Sequence, residues 1–250
     1  MIKLFLLIIF IIINNFCEKT IIIFVHPSTI CNISGESFFP AIQNIKLPGL
    51  HKITRESLLN NCYCEVFLPF VNQYNIYFKE PTSFYMFNWT GNIYPLYYKK
   101  IASQELFDSL IKYKNKNPND KIILIGCSHG GNVILGMAPL LKKFNINIDL
   151  IILLGTPISK DSNKYTLEKL SNQSYIFTKI INIYSLSDYI QKIDIIFNDF
   201  KLCERILNQR KGIINYRINN TFGHINLWHK LIWKEPFVIQ IPKILSLLSF

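Results

Sequence analysis

Gly126-Cys127-Ser128-His129-Gly130 decides how this chain is read. The five residues fit G-x-S-x-G, the pattern in which a serine sits on a sharp turn between a strand and a helix. The flanks agree with it. Lys121-Ile122-Ile123-Leu124-Ile125 is a short apolar run that reads as a buried strand, and Gly131-Asn132-Val133-Ile134-Leu135-Gly136-Met137-Ala138 reads as the opening of a helix. Strand, tight turn and helix in that order lift the serine hydroxyl above the edge of a sheet. Glycines on either side let strand and helix approach more closely than larger side chains allow. A chance match in a glycine-containing loop would lack both flanks, so Ser128 is the candidate nucleophile.

Outward from this stretch, apolar runs alternate with helical ones. Strands are expected over 21–25 (ended by His26-Pro27), 84–89, 149–154, 179–184 and 213–218. Residues 97–114 carry Ile101, Leu106, Leu110 and Ile111 at helical spacing and end in a polar turn at 115–120. The connection after the first strand is long and irregular, with helical potential over 55–61. Residues 227–250 are expected to pack back as a helix interrupted by Pro236 and Pro242. Continuous Ile/Leu/Val strands separated by helices indicate an α/β protein: a mostly parallel sheet of about six strands with helices on both faces. Right-handed crossovers then bring the strand C-terminal ends to one edge, where ligands bind in open α/β sheets. With 250 residues, no internal repeat and no linker, residues 20–250 read as one domain.

A nucleophilic serine needs a base to take its proton and an acid to orient that base. The acid candidate is Asp188, just past the strand 179–184. Asp161 lies in a polar, lysine-bearing loop, and Asp194 falls six residues further on. The competing reading of Asp188 is an exposed helix cap. The base candidate is His224, directly after the strand 213–218. Of the other histidines, His51 comes too early in the chain, His129 begins the helix after the elbow, and His229 falls in the final helical segment. An oxyanion hole needs backbone N–H groups aimed at the developing charge. His129, directly after the nucleophile, would supply one. The loop His26-Pro27-Ser28-Thr29 would supply the other; Pro27 has no N–H, which leaves Ser28.

Composition narrows the function classes. Half of the residues are apolar and 14% aromatic, enough for a substantial core. The net charge of +11 comes from scattered lysines in a chain also rich in Asn and Ile, a joint bias that an AT-rich coding sequence produces. Its longest basic patches, around Lys142-Lys143 and Arg210-Lys211, are short, so no nucleic-acid partner is expected. Met1-Ile2-Lys3 precedes ten consecutive apolar residues, 4–13. That is shorter than the ~20 residues of a membrane span and fits a secretory signal. No small residue precedes Cys17 at the cleavage position, so residues 1–17 are read as a signal peptide or a short hydrophobic anchor on an exported protein, with membrane association through that segment. Six cysteines (17, 31, 62, 64, 127 and 203) have no metal-like spacing; no metal and no cofactor is expected, and Cys127 is read as a buried packing residue. Asn32, Asn88, Asn172 and Asn219 begin glycosylation-type triplets, as an Asn-rich chain produces by chance.

On Val25-His26, the elbow 126–131, Leu154-Gly155-Thr156-Pro157, the aromatic strand end Phe87-Asn88-Trp89-Thr90-Gly91, and Asp188 followed by His224, the chain resembles the α/β-hydrolase superfamily. The likeness is greatest to lipase-like serine hydrolases related to bacterial lipases and GPI-inositol deacylases, and it spans roughly residues 21–228. The resemblance implies that Ser128 attacks an acyl carbonyl, His224 shuttles the proton, Asp188 orients His224, and water releases an acyl-enzyme without a cofactor. The substrate would be a small-molecule or lipid ester. Two departures stand out: His26-Pro27 where the family has His-Gly, and Cys127 where its lipases often carry His. The first motivates an alternative, a binding protein that kept the fold and lost catalysis. A second alternative is an acyltransferase or thioesterase using the same triad. Segments 158–174 and 189–211 carry apolar residues suited to a small lid or to ordinary covering helices.

Overall fold

A computed structural model describes residues 19–25, 49–54, 71–72, 81–89, 95–196 and 199–218. In chain order its strands are β1 (Thr20–Val25), β2 (Gly49–Lys52), β3 (Thr82–Asn88), β4 (Lys121–Cys127), β5 (Ile148–Leu154), β6 (Phe177–Ser185), β7 (Ile193–Ile196), β8 (Asp199–Leu202) and β9 (Ile213–Ile218). Seven of them form the main sheet, in the order β2-β3-β1-β4-β5-β6-β9. The six from β3 to β9 in that order are parallel, as the apolar runs imply, and β2 adds an antiparallel edge against β3. The strand β2 is not legible in the sequence. Gly-Leu-His-Lys is four residues long and half-exposed, without the unbroken Ile/Leu/Val of its neighbours.

Every residue of β1 is buried, and β5 is buried at all but one position. Ile21, Ile23 and Val25 join a core cluster with Ile122, Leu124, Val133, Ile134, Leu106 and Leu110. Ile22, Phe24, Ile123 and Ile125 alternate with these along their strands and are buried too. The sheet is therefore covered on both faces. The helix α1 (Pro95–Lys116) starts on a proline, whose fixed φ suits a first turn, and ends on Lys114 and Lys116, which complement its C-terminal dipole. The helices α2 (His129–Gly136) and α3 (Ala138–Lys143) follow β4. α2 packs on β1 and β4 and is flanked by α1 and by α4 (Lys160–Thr166).

Segments 158–174 and 189–211 differ from long covering helices. The helix in the first, α4, is seven residues long, and its N-cap Ser159 accepts the Ser162 N–H. The second holds a short 3-10 turn (Ile190–Lys192) and the antiparallel hairpin of β7 with β8, separate from the main sheet. Arg210 then ties the chain back to the sheet. Its guanidinium donates to the carbonyls of Thr166, Lys211 and Phe177 at 2.7, 2.7 and 2.6 Å and lies 3.8 Å over the Tyr175 ring. Residues 55–61 and 227–250, expected to be helical, lie outside the described residues.

The sheet order has a functional consequence. From β1 the chain moves to β3 on one side, then crosses over to β4, β5, β6 and β9 on the other. The order reverses between β1 and β4, the place where a crevice forms at strand C-terminal ends. An antiparallel edge strand, this reversal and a serine turn on the strand after it together make the architecture an α/β-hydrolase fold.

Candidate active site

Ser128 stands at that reversal. It follows the last residue of β4 and precedes α2, with φ 49° and ψ −126°. A side chain in this region clashes with its own backbone, a strain of about 1–3 kcal/mol that persists only where the surroundings hold it. They do so here. The Ser128 N–H donates to the Leu154 carbonyl at 2.8 Å, and the Ser128 carbonyl accepts from Gly131 N–H at 3.0 Å. The residue is only 4% exposed. Cys127 before it is fully buried, as expected of a packing residue, and burial pushes its thiol well above the ordinary range.

The flanking glycines are required by distance. A Cβ on Gly126 would lie 2.6 Å from the Gly131 Cα and 2.8 Å from Ile134 Cδ1; one on Gly131 would run into the Thr156 side chain, with Cγ2 at 2.7 Å. The first clash is with backbone and has no rotamer escape. Gly126→Ala is therefore expected to cost about 1–3 kcal/mol. In a thermal melt that lowers Tm by about 2–4 °C per kcal/mol. An unchanged Tm would mean that strand and helix are not so closely packed.

His129 is the first residue of α2, so its N–H lies in the opening turn, whose N–H groups have no acceptor four residues back within the helix. Its ring Nδ1 lies 3.4 Å from Asn132 Nδ2. Asn132 Oδ1 accepts from Ser162 Oγ at 3.0 Å, which ties the start of α2 to α4.

Asp188 follows the end of β6 and is fully buried. The competing cap reading is partly realised, since Oδ1 accepts the Gln191 N–H at 2.9 Å at the 3-10 turn. A surface cap, however, would remain in water, whereas this carboxylate is enclosed at the edge that bears Ser128. Asp161 is exposed on the first turn of α4, and Asp194 sits on β7 opposite Lys201. His51 is exposed on the edge strand β2.

Register brings elbow and acid loop to one edge: Cys127 pairs with Leu154, and Leu154 with Ile183. The strands β4 and β6 are separated by β5 alone, about 10 Å at ordinary strand spacing. Val25, the last residue of β1, pairs with Gly126, so the chain leaves β1 beside the elbow. Ile218 pairs with Ser185, so β9 ends beside the acid loop. Ser28 and His224, expected from the sequence as the other oxyanion donor and the base, lie outside the described residues, as do His229, Pro27 and residues 1–17.

Sequence reasoning missed the brace between elbow and acid loop. Thr156, fully buried, packs against Gly131, and its carbonyl accepts from Gln191 Nε2 at 2.9 Å. Asp188-x-x-Gln191 has the spacing of a capping box, a signal that could have identified Gln191. Among the described residues, no group of three or more His, Cys, Asp or Glu side chains could hold a metal ion.

No family model matches this sequence, and no curated protein matches it either. Solved structures do. Aspergillus fumigatus lipase B is 13% identical with a TM-score of 0.47; the match covers 88% of this chain but 51% of that one, so the chain spans about half its length. An α/β-hydrolase enzyme from a metagenome of lagoon sediments at Mar Chica, Morocco, is 14% identical, with a TM-score of 0.46 and 93% of each chain covered. An α/β serine hydrolase homologue from Coxiella burnetii is 10% identical, with a TM-score of 0.45, covering 94% of this chain and 86% of that one.

Proposed function

We propose that this chain is a serine hydrolase that cleaves carboxylic esters, lipase- or esterase-like, through Ser128, His224 and Asp188. The observation that carries the reading is the backbone of Ser128: a non-glycine residue at φ 49°, buried, at the C-terminal edge of the sheet and at the head of a helix. Nothing in packing alone calls for a strained serine there.

In this mechanism Ser128 Oγ attacks the acyl carbonyl carbon while His224 accepts its proton. The carbonyl electrons move to oxygen, where the N–H groups of His129 and Ser28 receive the charge. Collapse of the tetrahedral intermediate expels the alcohol, protonated by His224, and leaves an acyl-enzyme. Water, deprotonated by His224, then releases the acid and restores Ser128. Asp188 fixes the imidazole and balances its positive charge. No cofactor takes part, and the substrate is a small-molecule or lipid ester met outside the cytoplasm, the protein being exported through residues 1–17.

The test is labelling of the purified protein with a fluorescent fluorophosphonate. The parent should label, and Ser128→Ala and His224→Ala should not. A folded parent that does not label overturns the hydrolase reading in favour of the binding-protein alternative, with Pro27 in the oxyanion loop as its cause. Product analysis with added acceptor alcohols or thiols separates hydrolysis from acyl transfer.

A further inference from the structure

The acid loop is gripped by a residue that the triad does not use. Arg205 donates from Nε at 3.0 Å and from Nη2 at 2.8 Å to one oxygen, the main-chain carbonyl of Asp188. Its guanidinium carbon stands 5.9 Å from the centroid of Tyr189, the next residue of the loop. The guanidinium fork ordinarily meets a carboxylate or phosphate. Here two of its donors converge on a neutral carbonyl, and that carbonyl belongs to the candidate catalytic acid.

The segment bearing Arg205 is itself anchored to the sheet. Asn182 on β6 and Asn215 on β9 are register partners. Asn182 Nδ2 donates to Asn215 Oδ1 at 2.9 Å and to the carbonyl of Arg205 at 2.8 Å. Asn215 accepts the Leu207 N–H at 3.0 Å and donates to the Leu207 carbonyl at 2.9 Å. Asn182 is fully buried among the Ile and Tyr residues of β6, and its NH2 commits both hydrogens to these two acceptors. The asparagine pair thus seats residues 205–207, and these seat Arg205.

We infer that Arg205 is a positioning residue for the catalytic acid: the sheet-anchored guanidinium fixes the Asp188 main chain, and the Gln191 N–H on Oδ1 fixes its carboxylate. Together they set the direction from which the carboxylate meets the base. The inference rests on the Ser128–His224–Asp188 reading. Catalytic groups must be held within about 0.5 Å and 10–20° of their working geometry. A loop attached only through its own short turn does not supply that.

The experiment compares the full-length parent, Arg205→Ala, Arg205→Lys and Ser128→Ala in p-nitrophenyl butyrate hydrolysis from about pH 5 to 9, where the base titrates, with a thermal melt of each. Arg205→Ala should lower kcat by about 10- to 100-fold and leave KM within about twofold, because substrate binding is untouched. The acid limb of kcat/KM should also move down by about one pH unit, because a misdirected carboxylate stabilises the imidazolium less. Arg205→Lys, which keeps the charge but not the fork, should recover part of both.

An Arg205→Ala protein that melts lower but keeps the parental kcat and acid limb overturns the inference, since a merely structural role predicts that result. Should Arg205→Ala not fold, Arg205→Lys decides: parental kcat and limb overturn the inference, and a loss of kcat with a shifted limb upholds it. A parent that neither hydrolyses nor labels overturns the function and this inference together. An active parent, an inactive Ser128→Ala and unaffected Arg205 variants overturn the role of Arg205 alone.

Discussion

Ser128→Gly abolishes ester hydrolysis and yields a protein more stable than Ser128→Ala; that is the expected result with the largest effect on activity. Both variants lose the hydroxyl, and for a triad serine the loss in kcat is on the order of a millionfold. They differ only in the Cβ. Alanine keeps the clash that φ 49° and ψ −126° impose, and glycine removes it. Relief of about 1–3 kcal/mol is offset by about 0.5–1 kcal/mol for the greater freedom of glycine in the unfolded chain. A net advantage of about 1 kcal/mol separates the two melts by about 2–4 °C for a domain of this size. Turnover of either variant within about tenfold of the parent would show that the serine is not the nucleophile. A glycine variant that melts below the alanine variant would show that the elbow is not strained.

The strain links sequence to site, and it explains what could be read in advance. Unbroken apolar runs such as Ile21-Ile22-Ile23-Phe24-Val25 and Leu150-Ile151-Ile152-Leu153-Leu154 declare strands buried on both faces, as a parallel sheet under two layers requires. The elbow is legible because its requirements are local: two glycines, a strand and a helix within about a dozen residues. What escapes the sequence depends on contacts between distant residues. The strand β2 gains its place only by pairing with β3, where Gly49 meets Asn88 and Lys52 meets Tyr85. The strands β7 and β8 pair only with each other, in a stretch whose apolar content suits a helix equally well. Thr156 and Arg205 are ordinary residues in the sequence, and only the capping-box spacing Asp188-x-x-Gln191 points to Gln191. The partners of Gln191 Nε2 and Arg205 are the carbonyls of Thr156 and Asp188, main-chain atoms whose place no side-chain pattern announces. Candidates for a triad can therefore be proposed from spacing, whereas the contacts around Ser128 and Asp188 become visible only when the chain is folded.

The second large effect concerns the acid. Asp188→Asn is expected to leave the fold in place and lower kcat by about four orders of magnitude at neutral pH. Carboxylate and carboxamide have the same shape. An amide oxygen can still accept the Gln191 N–H, and the main-chain carbonyl still receives Arg205. The other atom changes from an acceptor to an NH2 donor. An imidazole facing that donor turns to it the nitrogen without a proton, so its protonated nitrogen faces Ser128 and cannot take the serine proton. The fall should appear in kcat, with Tm close to that of the parent. Asp161→Asn and Asp194→Asn serve as controls, one exposed on α4 and the other on the β7–β8 hairpin, and both should turn over at the parental rate. Loss of activity in either control but not in Asp188→Asn would assign the acid elsewhere. An Asp188→Asn protein that folds and hydrolyses at the parental rate would reduce Asp188 to the cap of the turn at 190–192, and the burial of its carboxylate would then serve the loop alone.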